Sequence, residues 1–262
     1  MNRVLVTLLL AAAWAGADAR PLQTVLNDGT LRVGVALFAP WTARDAEGEL
    51  VGFEIDVGRQ LAADMGVEAQ FIVYPFERLI PALEAGEIDL IAAGLTITPE
   101  RALHVNFSDP YWQGGVTLAT SLERTADVQR LDDLNDPAFR LAAVEGSVAA
   151  EVARRTLPRA QLKLYRSVEA ATEALLAGDV AGYIEDEPVP TFLALEHPDT
   201  IDVPLARPLL ETRAAFAVAK GDPDFLAFLD AWIVARQADT WLAGTGKYWF
   251  ESLAWRERVG KD

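Results

Sequence analysis

Residues 94–101 read GLTITPER, an apolar strand end that runs into two threonines, a proline, an acid and an arginine. Thr98-Pro99 is a helix start: a hydroxyl to cap free N–H groups, then a ring pre-set for the first helical position. Arg101 then falls in the first turn, where the helix dipole disfavours a cation by roughly 0.3–1 kcal/mol. An arginine there either reaches into water or has an anion beside it. Its planar fork of donors matches a carboxylate, in a charge-assisted pair that contributes roughly 1.5–3 kcal/mol. In VEGSVAAEVARR, Gly146-Ser147 at a strand–helix junction offers free N–H groups and a hydroxyl at a helix N-terminus, an anion seat. Ser147 also reads as a plain N-cap, and the two roles are compatible. Asp186, at the end of YIED, is placed to hold an ammonium. A cation and an anion facing one another across a cleft complement a zwitterion, the head of an α-amino acid.

Other chemistries lack their residues. The two histidines, His104 and His197, are far apart in the chain and there is no cysteine. A Ser-His-Asp triad, a His- or Cys-based metal site, a thiol nucleophile and disulfides are therefore not expected. No GxGxxG or GxxxxGK[ST] occurs, so neither a dinucleotide nor a phosphate loop is expected, and no cofactor. A formal charge of −16 repels phosphate backbones and anionic lipids, which argues against nucleic acid and membrane surfaces as partners.

The elements that would position these groups alternate. The chain opens with one cation (Arg3), an apolar stretch from Val4 to about Ala15 and the small-x-small site Ala17-Asp18-Ala19, which together make a cleavable signal peptide over residues 1–19. No cysteine follows the cleavage site, so no lipid anchor is expected. The spacing then predicts strands at 31–38, 68–75 and 88–96, separated by helices at 53–66 and 76–86. The pattern recurs with strands at 140–147, 161–167 and 180–188 and with helices after Ser147 and Ser167. Such alternation means a mainly parallel sheet covered on both faces. ALEAGEIDLIAAG (82–94) aligns with ALLAGDVAGYIED (174–186), a weak internal repeat 92 residues apart that sets Gly94 opposite Asp186 at corresponding strand ends. Two extended crossings are expected, FSDPYWQGGVTLATS (107–121) with Gly114-Gly115 as hinge and a second near TRAAFAVAK (212–220). In the helix that follows, Phe225, Leu226, Leu229, Trp232 and Ile233 fall at helical spacing and read as core, as does Trp241.

These motifs resemble, in order and spacing, the family 3 periplasmic solute-binding proteins, the amino-acid-binding components of ABC importers. The resemblance runs from about Leu31 to Phe250 and is carried by LRVGV, EGELVGFEIDVGRQLA, FERLIPALEAGEIDLIAAGLTITPER, VNFSDPYW, VEGS, GDVAGYIEDEP and GTGKYWF. It implies an α/β, two-lobe periplasmic-binding-protein fold of type II. Each lobe would be a mainly parallel sheet flanked by helices, with residues 20–115 and 213–262 as lobe 1, 116–212 as lobe 2, and two strands crossing between them. It implies that Arg101 binds the ligand carboxylate with Thr96 and the backbone at Ser147, and that Asp186 binds the ammonium with the backbone of Gly94. Phe38 and Phe76 match the positions that flank the ligand side chain. The loop VALFAPW carries no acid, which favours an uncharged side chain. The expected partners are the amino acid and an inner-membrane ABC permease, and the protein is expected to be a periplasmic monomer without enzymatic activity.

Cyclohexadienyl dehydratases resemble this family and are the enzymatic alternative. Their general-acid glutamate falls here on Val189 and their crossing-strand lysine on Gly115, so the proton donor that dehydration needs is missing from that place. An extracytoplasmic sensor domain is a third reading, but the sequence holds no signalling segment to go with it.

Overall fold

The computed structural model describes residues 20–259, and the signal-peptide segment lies outside them. In chain order, α1 (Leu22–Asp28) leads into β1 (Thr30–Val35). A two-residue hairpin pair, β2 (Ala43–Arg44) and β3 (Leu50–Val51), precedes α2 (Phe53–Met65). Then come β4 (Glu68–Val73), α3 (Leu79–Glu84), β5 (Leu90–Ile91) and the single turn α4 (Pro99–Ala102). The strand β6 (Asn106–Ser121) is the longest of the fold. It is followed by β7 (Arg140–Val144), α5 (Val148–Thr156), β8 (Gln161–Tyr165), α6 (Val168–Leu176), β9 (Gly182–Asp186), α7 (Val189–Glu196) and β10 (Ile201–Asp202). The chain then returns through β11 (Leu210–Val218) to α8 (Pro223–Ala238) and α9 (Trp241–Phe250).

Most of the strands join one sheet in the order β4-β1-β5-β11-β6-β9-β7-β8, with β10 paired to β6. Within β4-β1-β5 and within β9-β7-β8 the pairing is parallel, while β11 and β6 run antiparallel to their neighbours. The two ends are therefore laid out alike: β1 and β7 are central, β4 and β8 sit at the edges, and β5 and β9 face the crossing strands. The weak repeat in the sequence is thus a repeat of topology. In β6, pairing passes from β11 to β9 at Gly115 and Val116, where Glu211 lies opposite Gly115 and Asp186 opposite Val116.

Local signals set the helix ends. The hydroxyls of Thr98, Ser147 and Ser167 accept from the backbone N–H three residues on, and the Asp222 carboxylate does the same for α8. Along α8, Phe225, Leu229, Trp232 and Ile233 are buried as their spacing predicts; Leu226 and Trp241 are half-buried against the same core.

Two elements differ from expectation. The helix expected over 76–86 is a 3-10 turn, Phe76–Arg78, running into the shorter α3. Pro81 has no N–H to return to the carbonyl of Glu77, so the first turn tightens. The strand expected over 88–96 is regular for two residues only. Gly94 turns it with φ 58°, and Thr96 rejoins the sheet as an isolated bridge to Ala214. The C-terminal segment makes a contact that no local pattern announces. Trp255 is buried against Phe192 of α7, with ring centroids 5.6 Å apart, and Arg256 pairs with Glu196.

Candidate functional site

The carboxyl ends of β1, β5, β7 and β9 converge with the two crossing strands on a cavity of about 500 Å³. This is the expected ligand position of open α/β sheets. All seven residues singled out in the sequence line it: Phe38, Phe76, Gly94, Thr96, Arg101, Ser147 and Asp186. Chain segments more than a hundred residues apart supply them.

Arg101 is held by carbonyls rather than by acids. Its Nη1 donates to the Thr96 carbonyl and its Nη2 to the Gly146 carbonyl, each at 2.9 Å. The guanidinium therefore spans the cleft from the β5 side to the β7 side, with the Phe76 ring beneath it at 5.4 Å. Desolvation lowers its pKa, and the nearby Asp186 and Glu100 charges oppose that effect. The helix dipole has little hold on this arginine. α4 is a single turn, so Arg101 is as close to its C-terminal end as to its N-terminal one, and no sizeable dipole acts on it. Gly146 makes the crossing contact feasible. It holds φ 74°, and a Cβ there would lie 3.3 Å from Glu77 Cβ across the cleft.

Asp186 sits at the last position of β9 and accepts from the Thr212 hydroxyl at 2.9 Å. Desolvation pushes its carboxyl up to about 6, against the pull of the Thr212 bond and the Arg101 charge. Among the described residues it forms no salt bridge; the Arg101 charge acts on it beyond contact distance, and an ammonium in the cavity would be the first cation to touch it. Glu185, the residue before Asp186, does not turn out to solvent. It is buried at the cavity wall, where it accepts from the Tyr183 hydroxyl at 2.8 Å and from the Asp186 N–H at 2.9 Å. Desolvation, then the Asp186 charge, pushes it up to about 7.

The Ser147 hydroxyl is committed to the protein, accepting from the Ala150 N–H at 3.1 Å and donating to the Val144 carbonyl at 2.8 Å. What the α5 terminus still offers an anion is backbone, since the first N–H groups of a helix have no intrahelical acceptor. Several lining residues were not singled out in the sequence, among them Trp41, Trp112, Thr212 and the charged Glu77, Arg166, Glu169 and Glu187. Trp41 is brought in by the tight loop in which Phe38 and Thr42 exchange backbone bonds of 2.9 Å, a pairing four residues apart that the Ala39-Pro40 step could have suggested. Nothing local marks Thr212, because its contact depends on the register of β11 on β6.

Among the described residues, no group of three or more His, Cys, Asp or Glu is placed to hold a metal ion, and no helix is long and apolar enough to cross a membrane.

Comparison with known proteins adds a family. Residues 31–252 match the family model for bacterial extracellular solute-binding proteins, family 3. An L-arginine-binding protein of Pseudomonas aeruginosa is 30% identical over 173 residues, which cover 63% of this chain and 64%, just under two thirds, of that protein. The cyclohexadienyl dehydratase of the same organism is 24% identical over 254 residues, 97% of this chain and 94% of the enzyme. Among solved structures, a candidate binding component of an ABC transporter from Wolinella succinogenes, complexed with lysine, superposes with a TM-score of 0.82 at 31% identity, covering 88% of this chain and 99% of that one.

Proposed function

Because the chain belongs to the bacterial extracellular solute-binding proteins, family 3, we propose that it captures an α-amino acid in the described cavity and delivers it to an ABC permease. One observation carries this reading. Arg101 and Asp186 both reach the cavity from opposite sides of the cleft, each held by neutral protein groups and neither in a salt bridge among the described residues. A zwitterionic head completes both charges at once. Thr96, Gly94 and the α5 terminus at Ser147 line the same head position, and Phe38 and Phe76 flank the side chain. The side chain we propose is uncharged. Trp41 and Trp112 add further apolar surface, and Glu185 is already satisfied by Tyr183 and the Asp186 N–H. Arginine and lysine, bound by the relatives above, are the comparison to run. A thermal-shift screen of the L-amino acids tests the reading, since a ligand bound by the folded state alone raises stability by roughly 2.7 kcal/mol at a hundred times its Kd. No shift with any L-amino acid would overturn it.

Export to the periplasm through residues 1–19 and action as a monomer belong to the same proposal, as do the lobes at 20–115 with 213–262 and at 116–212. Lobes joined by two strands rotate about them, and solution scattering should show a smaller radius of gyration with ligand than without. The contact of Trp255 and Arg256 with α7 makes a third connection, so the change should be modest. Identical curves at saturation would exclude closure.

The dehydratase relative keeps an enzymatic reading in view, and buried carboxyls near neutrality are the proton donors such chemistry uses. Against it, Val189 follows Pro188 as the first residue of α7 and brings no acid to the position that the resemblance marks. Purified protein incubated with prephenate or L-arogenate should form no phenylpyruvate or phenylalanine above the uncatalysed rate. Multiple turnovers would establish the enzyme instead.

A further inference from the structure

Glu54, the acid of the GFEIDV run, has no role in the reading above, yet its position is costly. It lies in the first turn of α2, with 0% of its surface exposed and no salt bridge among the described residues. One carboxyl oxygen, Oε1, accepts from the Gly94 N–H at 2.6 Å and from the Tyr111 hydroxyl at 2.8 Å. The other, Oε2, is buried without a partner among the described residues. Desolvation pushes the carboxyl up to about 7 in spite of the two bonds it accepts. A well-packed apolar side chain would avoid that desolvation, so stability alone does not account for an acid here.

Its two donors are informative. Gly94 lines the cavity opposite Asp186 in the topological repeat, and Tyr111 lies on β6, three residues before Gly114. Gly94 is confined on its other side as well. It holds φ 58°, and a Cβ would lie 3.3 Å from the rings of both Phe38 and Trp41. With its N–H taken by Glu54, the orientation of the adjoining peptide units is set. The Gly94 carbonyl receives no hydrogen bond from the described residues. We propose that Glu54 is a positioning residue for the ligand ammonium: it holds the Gly94 amide so that the free Gly94 carbonyl serves as a second acceptor beside Asp186, and through Tyr111 it ties that acceptor to the crossing strand. The inference rests on the amino-acid reading of the cavity.

The test compares each L-amino acid with the same molecule lacking its amino group. The pairs are L-leucine with 4-methylpentanoate, L-glutamine with 4-carbamoylbutanoate, and L-arginine with 5-guanidinopentanoate. Calorimetry uses the pair whose amino acid binds the unaltered protein most tightly, with competition titration for the weaker member. Glu54→Leu should weaken the amino acid tenfold or more and the deaminated acid less than twofold. Glu54→Gln keeps a carbonyl for the Gly94 N–H and should stay within about threefold of the unaltered protein for both. Tyr111→Phe should show the selective loss at smaller size, and it carries the test if Glu54→Leu does not fold. A purely structural role would move both members of a pair together, so an equal loss, or none, overturns the proposal. If the unaltered protein binds no amino acid, the underlying reading falls and this inference with it. A tightly bound amino acid whose affinity ignores Glu54 overturns this inference alone.

Discussion

Arg101→Ala should weaken calorimetric binding of the ligand at least about thirtyfold while leaving the melting temperature within a few degrees of the unaltered protein. The two halves of this expectation have different causes. In the free protein Arg101 contributes two hydrogen bonds to the carbonyls of Thr96 and Gly146, of which the second lies at an exposed site. Net contributions of about 1 kcal/mol are usual for such bonds, and water reaches carbonyls at the mouth of a cleft. In the complex the same substitution removes the counter-charge of a desolvated carboxylate, a change that costs roughly 2–5 kcal/mol, or about thirtyfold to several thousandfold in affinity. Arg101→Lys should recover a part of this, because a point charge replaces a fork that holds both sides of the cleft. The measurements are isothermal titration and thermal denaturation on the same samples. Normal binding by Arg101→Ala, or outright unfolding, would make the arginine structural and move the carboxylate site elsewhere.

Ligand affinity should fall as the pH drops through about 6, while the free protein becomes more stable over the same interval. Asp186 carries the first effect. Burial holds its carboxyl at about 6 in the free protein, and an ammonium against it lowers that value. Binding therefore expels a proton where the free carboxyl is protonated. Affinity is full above about 6 and declines by up to tenfold per unit below it. The second effect has the opposite sign. Glu54 and Glu185 stand at about 7 and Asp186 at about 6, all raised above the unfolded value of about 4. Between about 4 and 7 the folded state therefore binds more protons than the unfolded one. The contribution of these groups to stability declines as pH rises through that window and is level above it. Melting of the free protein at pH 5.5 and 8, with and without ligand, separates the two: the free protein should melt higher at 5.5, and the ligand-induced shift should be larger at 8. Asp186→Asn should flatten the affinity profile and weaken the amino acid while sparing its deaminated analogue. A ligand-induced shift that is independent of pH would mean that no titrating carboxyl meets the ammonium.

What was legible in the sequence is what depends on neighbours along the chain. Thr98, Ser147 and Ser167 cap their helices because a hydroxyl reaches an N–H three residues on whatever the rest of the molecule does. The alternation of strand and helix, the apolar spacing of Phe225, Leu229, Trp232 and Ile233, and the 92-residue repeat that sets Gly94 against Asp186 are of the same kind. These signals pointed to Arg101, Ser147, Gly94 and Asp186, while Thr96, Phe38 and Phe76 came from the family resemblance; all seven line one cavity, because parallel strands place their carboxyl ends together. Local pattern failed where a single residue outweighed periodicity, as Pro81 did in shortening α3.

The tertiary structure alone decided the pairings between distant segments. Thr212 meets Asp186 because β11 and β9 flank β6 in a particular register, and a slip of one residue would turn that hydroxyl to the other face. Arg101 reaches the Gly146 carbonyl, 45 residues away, only when the two halves of the sheet approach. Glu54 finds Gly94 and Tyr111 at separations of 40 and 57 residues. The acid is visible in GFEIDV, but its partners are not, because a hydrogen bond between distant segments records where the chain has been folded rather than what its neighbours are.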